Sequence, residues 1–367
     1  MRIAFLGNGM TGYLDAQYRE LAARGHDLLV VQPAGADAVV GAMRDTAFGE
    51  FGVGGYADYL PWSSEPTAAE LVERVERFAP DAVVMTSWNF ARSYRAVMRA
   101  VPATTVRLLV MDNLWRSAPR QWLGRLVSRW YVRPVADAAM VPSERTEAYA
   151  RMLGFGPADV VRGSLSADTA LFRSEPRSGA EIAGRHSFLY VGRLVDHKGA
   201  DVLAASYRLY RELVDDPWDL DVVGIGPLEG LLREVPGVRL RGFLAPAQVA
   251  DLMRESSAYV LPSHIEPYGV VLHEATACGL PVLTTDFAGA AAPFVQDHAN
   301  GWVVPAGDVR AWAQAMARTS GLSAETLGEF SAVSRALSAR TSPQVWARNL
   351  EEQVERRMRA GGGRLGR

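Results

Sequence analysis

The stretch from Ala258 to Gly279 constrains the fold of this chain more than any other part of the sequence. It begins with a short apolar run that is typical of a buried strand, and a Pro-Ser turn ends that strand. A loop that carries Glu266 follows, and from Gly269 the pattern becomes helical, with Glu274 near the start of the helix. In a parallel α/β sheet, such a unit places both carboxylates at the carboxyl edge of the sheet, where ligands bind.

On spacing alone, structural interpretations compete with a functional one, because a Glu near a helix N-terminus complements the helix dipole and a loop Glu is usually only solvated. The whole string favours function. It reads Pro-Ser-His-Ile-Glu-Pro-Tyr-Gly and then Glu-Ala, and it resembles the Pro-Ser-x-x-Glu-Pro-x-Gly…Glu-Ala signature of the retaining glycosyltransferases of family 4. That family has the α/β GT-B fold, in which two Rossmann-like domains face each other across a cleft and a C-terminal helix returns to the first domain.

Composition bounds the class of protein further. A length of 367 residues suggests two domains of about 150 residues each. The net charge of −2 gives no general attraction to nucleic acid, and the single cysteine, Cys278, excludes an internal disulfide and fits a reducing compartment. With no signal peptide and no apolar run long enough for a membrane span, we expect a cytoplasmic protein, with peripheral contact at the inner membrane face as an alternative.

The domain boundary is expected near the run Ala167–Phe172, which resembles the interdomain linker of the family. Residues 1–165, together with a helix over 343–358, are predicted to form the acceptor-side domain. Residues 166–342 are predicted to form the nucleotide-sugar domain, and residues 359–367 a disordered tail. Residues 33–66 show weak periodicity and are predicted as loops and short strands.

A glycine-rich run, Gly7–Gly12, follows the first predicted strand and reads Gly-Asn-Gly-Met-Thr-Gly. It matches the dinucleotide fingerprint, but a nicotinamide or flavin enzyme also needs Asp or Glu at the end of the second strand, which here ends in Gln32. A tight structural turn, an oxidoreductase using this loop, and a loop that approaches donor phosphate or acceptor all stay open. The family resemblance favours the last, with Gly9 and Gly12 in the loop.

Two later strands of the first half end in polar or aromatic residues. Trp88 follows one of them, and Asp112 and Asn113 follow the other, so we expect these three residues on the acceptor side. A helix cap or turn is the alternative for Asp112. The family commonly places a histidine at the end of one of these strands, and this chain has none; Pro293 also stands where the family has Glu. These departures keep a non-catalytic sugar-nucleotide-binding partner of another transferase as an alternative function.

Arginine and apolar residues are interleaved between Arg116 and Arg133. Plotted as a helix from Pro119, the apolar residues form one stripe with the arginines mostly beside it: Trp122, Leu123, Leu126 and Trp130. The main interpretation is a core helix with a solvated basic face. The alternative is that Arg120–Arg133 form a surface for an anionic acceptor or for lipid headgroups.

Two cations follow the first strand of the second half. Arg193 and Lys198 are five residues apart, and a forked guanidinium with a mobile ammonium suits a diphosphate, although both could simply be exposed. The Gly-Arg…Lys-Gly pair of the family matches here residue for residue. The resemblance implies that these cations stabilise the departing diphosphate and that Glu266 positions a sugar hydroxyl and stabilises positive charge on the ring. These three residues are the predicted catalytic residues.

The resemblance also implies a donor-binding set. Glu274 would take the ribose hydroxyls, and backbone groups, mostly at a helix N-terminus, would meet sugar and phosphate. The residues concerned are Gly9, Gly226, Tyr268, Gly269, Val270 and Leu272.

No cofactor and no metal are expected, because the nucleotide-sugar is a substrate and two cations make a Mg²⁺ site unnecessary. His264 and Glu266 imitate the His-x-Glu of zinc deaminases, but Cys278 stands alone, and His264 and His273 are too few ligands. We therefore predict a retaining, metal-independent glycosyltransferase. Its acceptor hydroxyl belongs to a small molecule, a lipid-linked sugar or a glycan end.

Overall fold

A computed structural model describes residues 1–34, 51–87 and 91–362 of the chain. Contacts between Cα atoms divide it into two compact units. The first is Met1–Ser166 with the segment that begins at Pro343, and the second is Ala167–Ser342. Each unit is built on its own parallel sheet with helices packed against it, as expected for a pair of Rossmann-like domains.

The first unit contains a seven-stranded sheet in the order β3-β2-β1-β4-β5-β6-β7, and the pairings between its strands are parallel. Its strands are β1 (Arg2–Leu6), β2 (Asp27–Pro33), β3 (Asp58–Trp62), β4 (Ala82–Thr86), β5 (Val106–Val110), β6 (Ala138–Val141) and β7 (Val160–Arg162). The central strands are continuous apolar runs because helices cover both of their faces. The strand order reverses between β1 and β4, which is where α/β sheets bind ligands.

In the described residues of this unit, five helices connect the strands: α1 (Gly12–Ala23), α2 (Ala68–Phe78), α3 (Arg92–Ala100), α4 (Pro119–Tyr131) and α5 (Glu144–Met152). The segment that begins at Thr67 has the apolar spacing of an amphipathic helix, with Leu71, Val75 and Phe78 buried, and it forms α2. The Thr67 hydroxyl accepts from the Glu70 amide, and the Glu70 carboxylate accepts from the Thr67 amide, so two amides at the helix start are satisfied.

Residues 33–66 were predicted as loops and short strands, and the described part of this segment contains a short strand and a turn. β2 continues through Gln32 to Pro33, and β3 pairs with it in parallel from Asp58 to Trp62. A short 3-10 turn covers Val53–Gly55, while residues 35–50 lie outside the described part of the chain. The sequence did not give the bounds of the edge strand β3, because it is short, contains Pro61 and lacks a clear alternation.

The interpretation of α4 as a core helix is wrong in one respect. Its apolar stripe is exposed, with Leu126 70% and Trp130 66% accessible to solvent. The residues that α4 buries against the unit are small or polar: Gln121, Gly124 and Ser128. Periodicity located the apolar stripe, but it did not reveal that a different face of the helix is buried in the unit.

The second unit contains a six-stranded parallel sheet in the order β10-β9-β8-β11-β12-β13. Its strands are β8 (Ser187–Val191), β9 (Asp219–Val223), β10 (Val238–Gly242), β11 (Ala258–Leu261), β12 (Val282–Thr285) and β13 (Gly301–Val304). Its helices are α6 (Thr169–Phe172), α7 (Gly179–Ala183), α8 (Ala200–Leu213), α9 (Glu229–Arg233), α10 (Pro246–Arg254), α11 (Val270–Ala277), α12 (Ala291–Phe294), α13 (Val309–Ser320) and α14 (Ala324–Ser338). Here the strand order reverses between β8 and β11.

The last helix, α15 (Pro343–Gly362), packs against α1 and β5 of the first unit. It extends past its predicted end at Met358, so the first residues of the predicted disordered tail are helical. Trp346 contacts Phe5 and Tyr18 in the core of that unit. Hydrogen bonds from Arg24 hold the pKa of the α15 residue Glu351 at about 2, well below its ordinary range, so this ion pair persists at neutral pH.

None of the helices within residues 1–34, 51–87 and 91–362 is long and apolar enough to cross a membrane.

Candidate active site

The predicted catalytic residues meet where the order of the second sheet reverses. β8 and β11 are neighbours there, with Ala258 paired to Phe188 and Tyr259 to Leu189. Both strands run in the same direction, so the loops after them leave from the same edge of the sheet. The loop after β8 carries the two predicted cations, and the loop after β11 carries Glu266.

An ion pair joins these two loops. Lys198 Nζ donates to Glu266 Oε2 over 2.5 Å, and the two side chains are only 21% and 6% exposed. The Ser263 hydroxyl also donates to the same carboxylate oxygen, over 3.4 Å. No hydrogen bond from the described residues reaches Glu266 Oε1, so that oxygen can accept from a ligand hydroxyl.

The backbone of the β8 loop lies directly against that of the β11 loop. Gly199 ends the short 3-10 turn Asp196–Lys198 with a φ of +70°, and a Cβ there would lie 2.0 Å from the carbonyl oxygen of Pro262. The amide of Ile265 donates to the carbonyl of His197 over 3.2 Å. Only glycine satisfies both the positive φ and this close approach, so Gly199 allows Lys198 to reach Glu266.

The loop after β12 holds Glu266 from the other side. The amide of Gly289 donates to the carbonyl of Glu266 over 3.1 Å, and the amide of Ala290 donates to that of Tyr268 over 2.7 Å. Gly269, with a φ of +86°, immediately precedes α11, and a Cβ there would lie 2.8 Å from Glu266 Cγ. The carboxylate is therefore positioned by backbone contacts as well as by its charge.

Arg193 lies half-buried beside the ion pair. Its guanidinium contacts the His197 ring over 3.3 Å, and within the described residues it forms no ion pair with a carboxylate. Burial, together with Lys198 and Arg193, lowers the pKa of His197 below its ordinary range, so His197 is neutral at pH 7. His197 was missed by the sequence reasoning, because a histidine inside the Arg…Lys spacing has no signature of its own.

The turn after β9 contains Gly226, a predicted donor-binding residue, and packs against the loop that carries Arg193. A Cβ on Gly226 would lie 2.3 Å from the carbonyl oxygen of Leu194, whose amide donates to Ile225 over 3.0 Å. The structure therefore gives Gly226 a packing role, and its contact with a donor stays a prediction.

The start of α11 contains the amides that were expected to meet sugar and phosphate. Val270 is half-buried and is the first residue of α11, and the first amides of a helix have no acceptor within the helix itself. The amide of Leu272 already donates to Gly269, and the Leu272 side chain is fully buried. The side chain of Tyr268 is buried as well. The placement thus suits Val270 better than Leu272 for contact with a ligand.

Glu274 lies in α11, one turn beyond Val270. Burial, with a smaller contribution from the charge of Asp168, raises the pKa of Glu274 to about 7. A carboxyl group with this pKa changes charge near neutral pH, and hydrogen bonds from ligand hydroxyls would favour its ionised form.

The two histidines considered as metal ligands have other surroundings. His273 is buried between the Ala167 amide, which donates to its Nδ1, and the Ser338 carbonyl, which lies 3.1 Å from its Nε2. His264 lies 3.4 Å from Asp201. In the parts of the chain that the structure describes, no group of three or more His, Cys, Asp or Glu side chains is placed to hold a metal ion.

The first unit contains a pocket of about 330 Å³ where its strand order reverses, at the ends of β1, β4 and β5. Its lining is Asn8, Tyr13, Leu14, Thr86, Ser87, Val110, Met111, Asp112, Asn113, Arg120, Gln121, Tyr149 and Leu165. Asp112 and Asn113 were predicted for this side, and Trp88 lies outside the described residues. Arg120 was named only as part of the possible surface for an anionic acceptor. The remaining polar lining residues were missed because they come together only when the strands are side by side.

The glycine-rich loop borders this pocket. Gly9 has a φ of +148°, and Thr11 caps α1 by accepting from the Leu14 amide. At the end of β2, the buried Gln32 donates to the Tyr59 hydroxyl and occupies the place where a dinucleotide enzyme would carry an acid. This arrangement weakens the oxidoreductase alternative.

One compositional signal was also missed. Lys198 is the only lysine in the chain, and every other cationic side chain among its 39 Lys and Arg residues is an arginine. A chain that uses arginine everywhere else places its one compact, mobile ammonium in the ion pair with Glu266.

Comparisons with known proteins agree with this geometry. The family model described as "Glycosyl transferases group 1" matches residues 185–320, and that described as "Glycosyl transferase 4-like domain" matches residues 8–162. The glycogen synthase of Mycobacterium tuberculosis is 28% identical over an alignment of 312 residues, and the match covers 73% of this chain and 72% of that protein.

Solved structures show the same fold. A glycosyltransferase from Rickettsia africae has a TM-score of 0.74 at 14% identity, covering 96% of this chain and 98% of that one. Anabaena Alr3699/HepE, solved in complex with UDP and glucose, has a TM-score of 0.71 at 16% identity, covering 97% and 99%. The predicted GT-B fold is confirmed.

The close approach at Gly199 predicts a specific sensitivity. Gly199→Ala should lower the free energy of unfolding by about 2 kcal/mol or more, because the methyl group is forced into a left-handed conformation and into the Pro262 carbonyl. Gly230→Ala is the matched control, because nothing lies within 4 Å of its Cβ position in α9. Urea unfolding of both variants measures the difference; equal stabilities would contradict the assigned contact.

The raised pKa of Glu274 predicts a pH dependence. Since the folded state binds this proton more tightly than the unfolded chain, its stabilising effect is fully present below about pH 4.5 and is lost as the pH rises through about 7. Wild type should therefore lose on the order of 3 kcal/mol relative to Glu274→Gln across this window. Urea unfolding at several pH values tests this, with exposed Glu325→Gln as control, and a pH-independent difference between wild type and Glu274→Gln would refute it.

Proposed function

Because the chain belongs to the group 1 glycosyltransferases of family 4, with the GT-B fold, we propose that it transfers a hexosyl group from a nucleotide-sugar to an acceptor hydroxyl with retention of anomeric configuration. The observation that carries the proposal is the Lys198–Glu266 pair beside Arg193, at the position where the order of the second sheet reverses. It combines two cations for a leaving group with one carboxylate for a sugar.

Arg193 and Lys198 act on the departing diphosphate. As the bond between the anomeric carbon and the diphosphate oxygen breaks, negative charge grows on that oxygen. Cations already fixed in place stabilise this charge without reorganisation, and such electrostatic stabilisation usually lowers the barrier of an enzymatic reaction more than any other single effect. Arg193 has no carboxylate partner among the described residues, so its charge is available to the ligand, and no metal is required.

Glu266 acts on the sugar. Its Oε2 is held by Lys198, while Oε1 can accept from a sugar hydroxyl. A carboxylate fixed in this way also stabilises positive charge that develops on the ring as the leaving group departs. Breaking either half of this pair would leave a largely buried charge uncompensated.

The acceptor occupies the pocket of the first unit, where Asp112 and Asn113 can orient its hydroxyls. The acceptor oxygen attacks the anomeric carbon from the face that the diphosphate leaves. A new C–O bond forms as the old one breaks, and the hydroxyl proton passes to an oxygen of the departing phosphate. This path gives retention without a protein base, so it accommodates the absence of the family histidine from this domain.

The nucleotide is held by the α11 region, with Glu274 on the ribose hydroxyls and the Val270 amide on sugar or phosphate. UDP-sugars are the first donors to test, because the structurally similar Anabaena protein was solved with UDP and glucose.

Nucleotide binding should be detectable without metal. Ligand at about a hundred times its Kd stabilises the folded state by near 2.7 kcal/mol, which shifts the melting temperature by several degrees. UDP, GDP, ADP, dTDP and their sugars are compared in EDTA, with Glu274→Ala expected to lose the shift. Because Lys198 is the only lysine, ¹³C-methylation labels only it and the N-terminal amine, so its NMR signal should move with the same nucleotide.

A nucleotide that raises the melting temperature without moving the Lys198 signal would place the site elsewhere. A shift produced by NAD or FAD alone would instead indicate the glycine-rich loop of the first unit and overturn the proposal.

Removing a cation should slow the chemical step. Arg193→Ala should lower kcat about a hundredfold, roughly 3 kcal/mol of barrier, while leaving stability unchanged because it breaks no ion pair. Lys198→Ala should lower both kcat and the melting temperature, since it leaves Glu266 without its partner. Turnover is followed by nucleotide release, with product configuration read from the anomeric proton by NMR.

The exposed Arg310→Ala in α13 is the matched control and should have wild-type turnover. Full turnover by Arg193→Ala, or an inverted product, would contradict the assigned mechanism. Purified chain that binds a sugar-nucleotide but neither hydrolyses nor transfers it would favour the non-catalytic alternative.

A further inference from the structure

Helix α4 presents its apolar side chains outward instead of into the first unit. At about 100° per residue, Trp122, Leu123, Leu126 and Trp130 fall within one arc of roughly 100°. They are 47%, 59%, 70% and 66% exposed. The buried residues Gln121, Gly124 and Ser128 lie on the opposite side of the helix. A helix with four large exposed apolar side chains in one stripe is typical of a surface that binds a partner.

The charges around this stripe are all positive. Exposed Arg125 and Arg129 lie on one flank of the stripe and exposed Arg120 lies on the other. The sequence contains no Asp or Glu from Asn113 to Ala136, although the chain as a whole carries a net charge of −2. No carboxylate in the described residues pairs with Arg125 or Arg129. The partner must therefore offer both apolar material and negative charge.

The face is already formed in the folded protein. Gln121 accepts from the amide of Arg116 over 2.8 Å and donates to the carbonyl of Leu114 over 2.7 Å, which fixes the first turn. Ser128 donates to the carbonyl of Leu153 over 2.6 Å, which fixes the middle of the helix. Binding at this face therefore requires little ordering of the chain.

We propose that this surface, the α4 face formed by Trp122, Leu123, Leu126, Trp130 and the flanking Arg120, Arg125 and Arg129, binds an anionic lipid bilayer. The apolar side chains enter the boundary between headgroups and acyl chains, where tryptophan is favoured. The guanidinium groups contact lipid phosphates, to which arginine binds in a bidentate manner.

Charge favours the bilayer over a second copy of the chain. A symmetric dimer through the α4 face would bring the arginines of one copy against those of the other, and like charges repel. A bilayer with anionic headgroups instead neutralises the arginines while it buries the apolar stripe. The inference does not depend on the proposed transfer reaction, so the two can fail separately.

Vesicle binding tests the proposal directly. The full chain is sedimented with vesicles of phosphatidylcholine containing phosphatidylglycerol and with vesicles of phosphatidylcholine alone. Binding should require the anionic lipid and weaken with salt, and the tryptophan emission should shift to the blue. The double variant Arg125→Glu with Arg129→Glu should reduce partitioning by at least about tenfold. Leu126→Ser with Trp130→Ser should also lose binding, because the apolar insertion is removed.

The matched control reverses two exposed arginines elsewhere, Arg310→Glu in α13 and Arg348→Glu in α15, and so changes the net charge equally. This control should sediment like wild type. Equal loss in the control, unchanged binding by either α4 variant, or no binding to anionic vesicles would overturn the proposal. Self-association that both α4 variants abolish in sedimentation velocity without lipid would overturn it in favour of a dimer interface.

Discussion

The hydrogen-bonded ion pair between Lys198 and Glu266 is the interaction on which the second unit's site depends. It joins loops from two neighbouring strands, and its side chains are largely removed from water. In such surroundings the charges are costly apart, so the pair constrains both loops to one arrangement. The backbone meets the same constraint, because Gly199 and Gly269 occur where a Cβ would collide with the neighbouring loop or with Glu266 itself.

The choice of lysine at this position has a physical meaning in a chain that otherwise uses arginine. Arginine bridges carboxylates elsewhere in the chain, as where Arg239 and Arg241 both bind the buried carboxylate of Asp221 on β9. A guanidinium is a broad planar fork that suits such bridging. An ammonium is a compact charge on a flexible stem, which fits a narrow space between two loops and can adjust when an anion arrives.

Both units place their candidate binding residues by the same topological rule. In each sheet the strand order reverses once. The loops after the two strands at that point leave from the same edge but lead to opposite faces of the sheet, which opens a crevice between them. In the second unit that crevice holds charged groups, and in the first it holds a pocket with mixed polar and aromatic lining. Arg120 and Gln121 of α4 line the pocket, so it and the α4 face share one helical turn. A bilayer bound at that face would therefore lie close to the pocket.

The sequence alone determined the parts of this protein that depend on local patterns. Runs and spacings within short segments of chain are enough to give the α/β class, most of the strands and the capped helix α2. They also place four candidate site residues in strand–loop–helix units: Arg193, Lys198, Glu266 and Glu274. Only the tertiary structure decided what those residues touch. The pairing of Lys198 with Glu266, 68 residues apart, and the direction in which the apolar stripe of α4 points are such cases. Periodicity shows that a helix has an apolar face, but packing against the rest of the chain decides whether that face is buried. In α4 the small and polar residues Gly124 and Ser128 let the helix approach the rest of the first unit more closely than its large apolar side chains would.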